Sequence, residues 1–504
     1  MHLTWIDFAV IAAYLGSLPL IGIYFSRRQV SREEYLLGSR NIHWLLAAGS
    51  VVATLVSTLT FLAVPGEIVR YGLAYFTGVL ALPLAVPVMT RILLPKLMTL
   101  RITSMYEYLE SRYDVQVRVL AAVVFVIRTV VWMGLIIYSC SFAIAEMTQW
   151  NIYWTIVITG LITTFYSSAG GLRTVIWTDN LQLVVLIGGA LAIPVAVLLR
   201  TGTGPLEWWS AFSEAGRTQI QFVSLDLTVR LTVIGIMLSQ FFWSVCTNGS
   251  DQVAVQRYLS TPSIRMARRT AWVYIAINVG LLAVLAFCGL ALFGFYLQQS
   301  GLPVSDFQRE IAPRADALMP QFIVKELPQG ISGLVLAALL AAAMSSLSSG
   351  INSLAAVVMK DLVERFGRHR TEASSLALTK LVSVAGGLIG IASAAAITWA
   401  VRRTDWNLID VTQRLNHIFV GPLAVLFFAG ILFPFASKRS VLAGFLVGTA
   451  CSMYVAFGRG QSISFTWLVP ASFVVGFAIA AVLGRLRAEK VPAGGPAAVE
   501  RDAR

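Results

Sequence analysis

A run of hydroxyl side chains inside one long apolar segment is the part of this sequence best suited to bind a ligand. Residues 341–352 read AAAMSSLSSGIN, with four serines within five positions. An α-helix would place on one face Ala342, Ser345, Ser346, Ser349 and Asn352. Small hydroxylated side chains allow helices to pack closely. They also offer neutral oxygens to a small hard cation, and four clustered serines followed by an asparagine favour this second interpretation.

Two charged side chains stand inside other apolar segments. Asp179 lies just within a segment after the sequence GGLRTVIWT. A carboxylate at membrane depth costs a few kcal/mol unless it is paired or hydrated, so Asp179 is either an ion ligand or an interfacial acid solvated from the cytoplasm. Arg128 lies about a third of the way into its segment and is expected to face the protein interior. It could pair with a carboxylate, which we favour, cap a broken helix or attract an anionic substrate.

Enzyme chemistry has little support in the sequence. The four histidines are scattered without the spacing of metal ligands, and no glycine-rich phosphate loop or nucleophile elbow is present. The four cysteines all lie inside apolar segments without paired spacing, which indicates neither a disulfide framework nor a zinc site. We therefore predict a protein that is not an enzyme and has no organic cofactor.

The elements that would position these residues are transmembrane helices. The chain has 504 residues, of which 57% are hydrophobic and only 12% charged, and its mean hydropathy is +0.76. A soluble core cannot absorb so much apolar sequence, whereas a helical membrane bundle can. About 13 spans are predicted, near residues 6–25, 43–63, 73–95, 119–146, 152–166, 176–199, 231–250, 271–297, 331–358, 376–400, 409–435, 441–457 and 465–485.

The basic residues are distributed as in a membrane protein. The formal net charge of +13 could suggest a nucleic-acid partner. However, alternate loops hold roughly 25 of the Lys and Arg residues, among them Arg27, Arg28, Arg257, Arg368 and Arg370, against about 10 on the other side, as the positive-inside rule expects. With an odd number of spans in the cytoplasmic membrane, the N-terminus would lie outside and the C-terminus inside. The sequence predicts one transporter domain, residues 1–487, followed by a disordered cytoplasmic tail, residues 488–504, and no nucleic-acid partner.

Two spans look broken. In the second span, polar residues from Thr54 to Thr60 precede Pro65, and in the seventh the apolar run gives way to the polar sequence CTNGSD at residues 246–251. Irregular backbone at membrane depth is tolerated beside protein or a water-filled cavity. Weakened helices five spans apart predict two inverted five-span repeats, about residues 43–199 and 231–435, with a binding site where the broken helices meet.

Three stretches make the chain resemble the sodium:solute symporter family over nearly its whole length. The first is residues 171–179, GLRTVIWTD, with Gln182; the second is residues 341–361, ending in MKD; the third is Gln252 with the sequence QRYL at residues 256–259. This resemblance implies an all-α membrane protein with the 5+5 inverted repeat of the leucine-transporter type, and transport coupled to sodium.

The resemblance also implies two sodium sites. The general site would use the backbone carbonyls of Ala53 and Val56, the carbonyl of Ala342, and the hydroxyls of Ser345 and Ser346. A second site, which some members of the family have, would use Asp179, Ser345, Ser348 and Ser349. Since all four positions match that pattern, two sodium ions per cycle are compatible with the sequence.

The same resemblance bears on the solute. Sugar carriers of the family place Asn and Gln where this chain has Leu55 and Thr60, and an aromatic gate where it has Thr247 and Asn248, which disfavours a hexose. Together with Arg128, these residues are the candidate substrate contacts. The sequence AVPGEIVRYG at residues 63–72 is more similar to the branch for vitamins, monocarboxylates and iodide. We expect import of a small organic anion with sodium; a proton-coupled carrier, with Asp179 as the proton site, and a transporter-like solute sensor are the alternatives.

Overall fold

The computed structural model of the chain describes residues 4–26, 32–100, 102–367, 371–404, 406, 408–458 and 463–486. Their regular structure is entirely helical. The predicted tail, residues 488–504, and several of the basic residues used for the topology, among them Arg27, Arg28, Arg368 and Arg370, lie outside this part of the chain.

The helices follow the predicted spans, several of them in more than one piece. Their bounds are α1 Trp5–Ser26, α2 Arg32–Leu37, α3 Trp44–Leu55, α4 Thr58–Tyr71, α5 Leu82–Val88, α6 Leu94–Thr99, α7 Glu107–Arg112, α8 Val115–Thr148, α9 Ile152–Thr201, α10 Pro205–Glu214, α11 Val233–Ser250, α12 Gln252–Leu259, α13 Ile264–Ser300, α14 Val304–Ile311, α15 Ala315–Glu326, α16 Ile331–Val357, α17 Glu364–Phe366, α18 Glu372–Val401, α19 Leu408–Asn416, α20 Val420–Leu432, α21 Lys438–Phe457 and α22 Leu468–Leu486.

Nine helical segments in the described part of the chain are long and apolar enough to cross a membrane, and two bent pairs bring the number to eleven. The bent pairs are α3 with α4, at 62°, and α19 with α20, at 41°. The two other predicted spans correspond to a shorter apolar helix, Ile152–Phe165, and to α11, whose second half is polar. The structure therefore has nine to eleven candidate spans where the sequence predicted about thirteen.

The helix α9 contains a single interruption at Gly171. Its backbone has φ 59° and ψ −173°, a conformation that is essentially restricted to glycine. This residue separates the predicted fifth and sixth spans, near residues 152–166 and 176–199. The second piece of α9 carries Asp179 two turns after the interruption.

The helix α16, which contains the hydroxyl run, is the central element of the bundle. Its residues from Ser345 to Ser349 are almost completely buried. It packs most extensively on α9 and also contacts α8, α1, α18 and α3. Apolar or small residues occupy every face of this helix. Such a helix is suited to a central position, since none of its faces has to meet water.

Candidate functional site

The site is built around the break between α3 and α4. The last regular residue of α3 is Leu55, and the next two residues leave the helical conformation, with φ/ψ of −89°/89° at Val56 and −89°/177° at Ser57. The last carbonyl groups of a helix have no partner within it. The break therefore exposes backbone oxygens of α3 in the middle of the bundle. Pro65, which the sequence placed near the weakness, lies inside α4 without ending it.

The hydroxyl run of α16 meets these exposed carbonyls. Ser345 donates from Oγ to the carbonyl oxygen of Ala53 at 2.7 Å, and Ser346 donates to that of Thr54, also at 2.7 Å. The carbonyl oxygen of Ala342 lies 3.2 Å from Ser345 Oγ. The structure thus brings four of the five predicted general-site residues together, and Val56 stands at the break itself. Neutral oxygens converging in this way are a suitable donor set for a hard cation.

Thr54 connects this group to the predicted second site. Its carbonyl accepts from Ser346, while its Oγ1 lies 2.8 Å from Ser349 Oγ and 3.4 Å from Asp179 Oδ2. Ser50, one turn earlier on α3, donates to the same carboxylate oxygen at 2.5 Å. Neither Ser50 nor Thr54 was among the predicted ligands. Their signal in the sequence is the i, i+4 spacing of two hydroxyls in an otherwise apolar helix.

Asp179 is fully buried, which excludes the interfacial, solvated alternative considered for it from the sequence. Its Oδ1 has no hydrogen-bond partner in the described structure. Ser348 donates to the carbonyl of Ser345 at 3.0 Å, one turn back along α16. The structure therefore joins Asp179 to Ser349 through Thr54. The hydroxyls of Ser345 and Ser348 donate instead to backbone carbonyls. The role of all four residues as sodium ligands stays a prediction.

Arg257 is a residue whose position the sequence did not reveal. Sequence reasoning counted it among the basic residues of the loops, but its side chain is fully buried on α12. Its Nη2 lies 3.8 Å from Asp179 Oδ2, its Nε donates to Ser50 Oγ at 3.3 Å, and it also donates to Ser349. The available signal was its setting in the apolar sequence VAVQRYL. A buried carboxylate requires such a partner because an isolated charge is very costly to desolvate.

A cavity of about 120 Å³ opens beside the same break, on the α4 side. Leu55 and Thr60, two of the predicted substrate contacts, line it. Its polar lining includes Ser57, Thr60, Gln240, Asn278, Gln413 and Asn416, and aromatic walls come from Tyr75, Phe76, Trp132 and Trp243. No Asp, Glu, Lys or Arg is among the described residues that line it.

The other three candidate substrate contacts do not line this cavity. Thr247 and Asn248 are buried in α11, which remains helical through Ser250 and is interrupted only at Asp251. Arg128 pairs with Asp251 and donates to Asn416 Oδ1 at 3.4 Å. The arginine thus has the structural pairing favoured from the sequence, and it touches the cavity only through Asn416.

An ion-pair cluster lies further along α4. Arg230 donates to Glu67 on α4 at 3.2 Å and to Asp410 on α19 at 2.8 Å. Its guanidinium also lies 4.4 Å from the ring centre of Tyr71. The cluster links one helix from each of the two bent pairs, so it couples the segments that flank the cavity.

Comparison with known proteins identifies the family of this chain. Residues 35–448 match the sodium:solute symporter family. The chain is 29% identical to the sodium/sialic acid symporter SiaT of Proteus mirabilis over 94% of its length and 93% of that protein. It is 30% identical to the human sodium-coupled monocarboxylate transporter 1, over 90% of this chain and 73% of that one.

A solved structure of a Na+-coupled sialic acid symporter, in a substrate-bound outward-open state, superposes with a TM-score of 0.84 at 26% identity. The superposition covers 95% of this chain and 98% of the other. The all-helical bundle therefore has a leucine-transporter-like fold. The chain belongs to the sodium:solute symporter family, and it is a multi-pass membrane transporter that couples a solute to sodium rather than an enzyme.

Proposed function

We propose that this symporter imports a small organic carboxylate together with sodium, by alternating access across the cytoplasmic membrane. The observation that carries the proposal is the uncharged, hydrogen-bonding cavity at the start of α4. The two similar transporters described above are named for sialic acid and for monocarboxylates, which are both carboxylic acids. A monocarboxylate or a vitamin acid is the preferred solute class.

The N-terminus of α4 is a suitable anion site. Ser57 occupies the N-cap position without a side-chain cap, and the first N–H groups of a helix have no partner within it. Ser57, Leu59 and Thr60 all line the cavity. Unpaired N–H groups and the positive end of the helix dipole together favour a carboxylate there, and half-helices in this class of transporter point such ends at anionic substrates.

Sodium would bind on the other side of the same break. The general site would use the carbonyls of Ala53, Val56 and Ala342 with the hydroxyls of Ser345 and Ser346; the second would use Asp179, Ser345, Ser348 and Ser349. The short distances from the α16 serines to the α3 carbonyls support the first set, and the buried, half-paired carboxylate of Asp179 supports the second. A solute and an ion on opposite sides of one break would stabilise the same arrangement of α3 and α4, which is what coupling requires.

The finer architecture belongs to the same proposal. Thirteen spans would be reached if Ile152–Phe165 and α11 with α12 each cross the bilayer. Residues 1–487 would form one transporter domain, with inverted repeats at about residues 43–199 and 231–435, broken at Val56 and at Asp251. The N-terminus would lie outside and residues 488–504 inside, so that α4 faces the outer half of the membrane.

Ligand-dependent thermal stability tests the proposal. Purified protein is unfolded by heat with a library of small carboxylates, their neutral amides and sugars, in sodium and then in potassium at equal ionic strength. We expect a carboxylate, and not its amide, to raise the midpoint in sodium alone, because a ligand that binds only the folded state stabilises it and coupled ligands strengthen each other. Stabilisation that follows pH but ignores sodium would select the proton-coupled alternative. Sodium-driven accumulation in vesicles would exclude a solute sensor.

A further inference from the structure

An open cavity with a basic rim lies away from the solute cavity, where α3 and α13 begin. Its volume is about 670 Å³, within the range of about 300–1,000 Å³ that is typical of ligand sites. Three arginines and two tryptophans line it with two aliphatic residues: Arg265, Arg268, Arg269, Trp44 and Trp272. None of these residues takes part in the sodium or solute sites described above.

The positive charges of the three arginines are poorly neutralised by other groups of the protein. Positions 265, 268 and 269 follow i, i+3 and i+4 spacing, so their exposed side chains share a face of α13. Arg268 donates from Nε to the carbonyl of Thr90 at 3.1 Å. In the part of the chain that the structure describes, none of the ion pairs involves any of the three. Neighbouring like charges repel, and an anion in the cavity would relieve that repulsion.

The length and the sequence pattern of α13 indicate that the cavity lies at the depth of the lipid headgroups. The helix α13 has 37 residues, which corresponds to about 55 Å, whereas the hydrocarbon core of a bilayer is about 30 Å thick. Its first turns, with the arginines, precede the apolar part that begins near Ala271. Trp44 and Trp272 are suited to the boundary between headgroups and acyl chains, where tryptophan is enriched.

We propose that this cavity binds the phosphodiester headgroup of an anionic phospholipid such as phosphatidylglycerol. Guanidinium groups bind phosphate oxygens with paired hydrogen bonds, and basic pockets between transmembrane helices bind anionic headgroups. The tryptophans would pack against the glycerol and the first acyl carbons. A zwitterionic lipid carries its own cation next to the phosphate, which the arginine cluster repels, so the site selects anionic lipids.

The test is lipid-dependent stability of the full-length protein in detergent. Phosphatidylglycerol is titrated against phosphatidylcholine at equal mole fractions, and the thermal midpoint is followed. We expect a saturable rise with phosphatidylglycerol alone. The double variant Arg265→Gln/Arg269→Gln should weaken the apparent affinity roughly tenfold or more, because each basic residue near an anionic lipid surface contributes substantially to binding. The single variant Arg269→Gln gives a smaller shift and serves if the double variant does not fold.

A matched control removes the same charge elsewhere. The variant Arg402→Gln/Arg403→Gln, at the end of α18, should retain the phosphatidylglycerol response. An equal loss in both double variants would attribute the effect to overall charge and overturn the proposal. So would equal stabilisation by the two lipids. Glycerol 3-phosphate is added as a soluble probe, and if it stabilises as well as the lipid does, the cavity binds free phosphate esters and not a membrane lipid.

Discussion

Nη2 of Arg257 lies 3.8 Å from Oδ2 of Asp179, and neither side chain has any exposed surface. The carboxylate proposed for the second sodium site therefore already has a cation beside it. Ser50 contacts both members of the pair, and Ser349 accepts from Arg257 and is joined to Asp179 through Thr54. Sodium at this position would share Asp179 with Arg257, and its affinity would depend on both residues.

Replacement of Asp179 by Asn tests the carboxylate. We expect the sodium concentration for half-maximal uptake to rise about tenfold or more, or the number of coupled ions to fall, because the only charged ligand of the proposed second site is removed. Uptake is measured against sodium concentration in vesicles. Asp251→Asn is a matched control, since it also leaves a buried arginine, Arg128, without its partner. Unchanged sodium dependence in Asp179→Asn would remove this residue from the site.

Replacement of Arg257 by Gln tests whether this arginine and sodium compete for the carboxylate of Asp179. Loss of one partner of a buried pair destabilises a protein by about 3–5 kcal/mol, so the midpoint in potassium should fall. In this variant sodium is the only cation left to neutralise Asp179. The thermal midpoint should therefore rise more on changing potassium for sodium than it does in the unmodified protein. Equal sodium-dependent rises would show that the arginine does not compete for the carboxylate.

The general site is tested by Ser345→Ala. We expect a larger loss of sodium-dependent uptake than in Leu347→Ala, although the leucine is also buried, because the hydroxyl of Ser345 faces the carbonyls of Ala53 and Ala342. Ser332→Ala makes the same change on α16, at a hydroxyl that bonds to the carbonyl of Ile323 outside the site. If all three variants transport alike, the serines serve helix packing.

The proposed solute cavity is tested by Gln413→Leu, a change of similar volume. The amide group of this residue lies in a wall of the cavity, where its N–H groups can donate to a carboxylate. Loss of a hydrogen-bonding group to a charged solute costs about 1.5–3 kcal/mol, so the solute concentration for half-maximal uptake should rise roughly tenfold or more. Sodium binding without solute should not change. Gln308→Leu on α14, outside the cavity, is the control, and an equal effect there would contradict the assignment.

The interruption of α9 is tested by Gly171→Ala. Because φ is 59° and ψ is −173° at this residue, a side chain would cost about 1–3 kcal/mol. Gly188→Ala on the same helix meets no atom within 4 Å of its added Cβ, and it should be neutral or stabilising, since alanine favours helix. Thermal unfolding compares the two. Equal midpoints would indicate that α9 straightens without loss.

The sequence predicted the helical bundle and the main elements of the site for identifiable reasons. Long apolar segments and the density of hydroxyls at Ser345–Ser349 are local signals. The burial of Arg257 is not a local property, because it depends on the packing of α12 against α3 and α16. Counting this residue with those of the loops was therefore wrong. Hydropathy also does not locate a break to one residue: the polar sequence CTNGS stays helical, and α11 is interrupted only at Asp251.

The described residues that line the proposed solute cavity include no Asp, Glu, Lys or Arg, so the lining does not offset the charge of a bound anion. Across a complete cycle, the net charge moved is the sum of the charges of the solute and of the sodium ions that travel with it. One sodium per monocarboxylate makes the cycle electroneutral, whereas two carry one net positive charge, on which the membrane potential acts with about 2.3 kcal/mol per 100 mV. The charge moved per molecule of labelled solute therefore counts the sodium ions: zero for one ion, and one elementary charge for two.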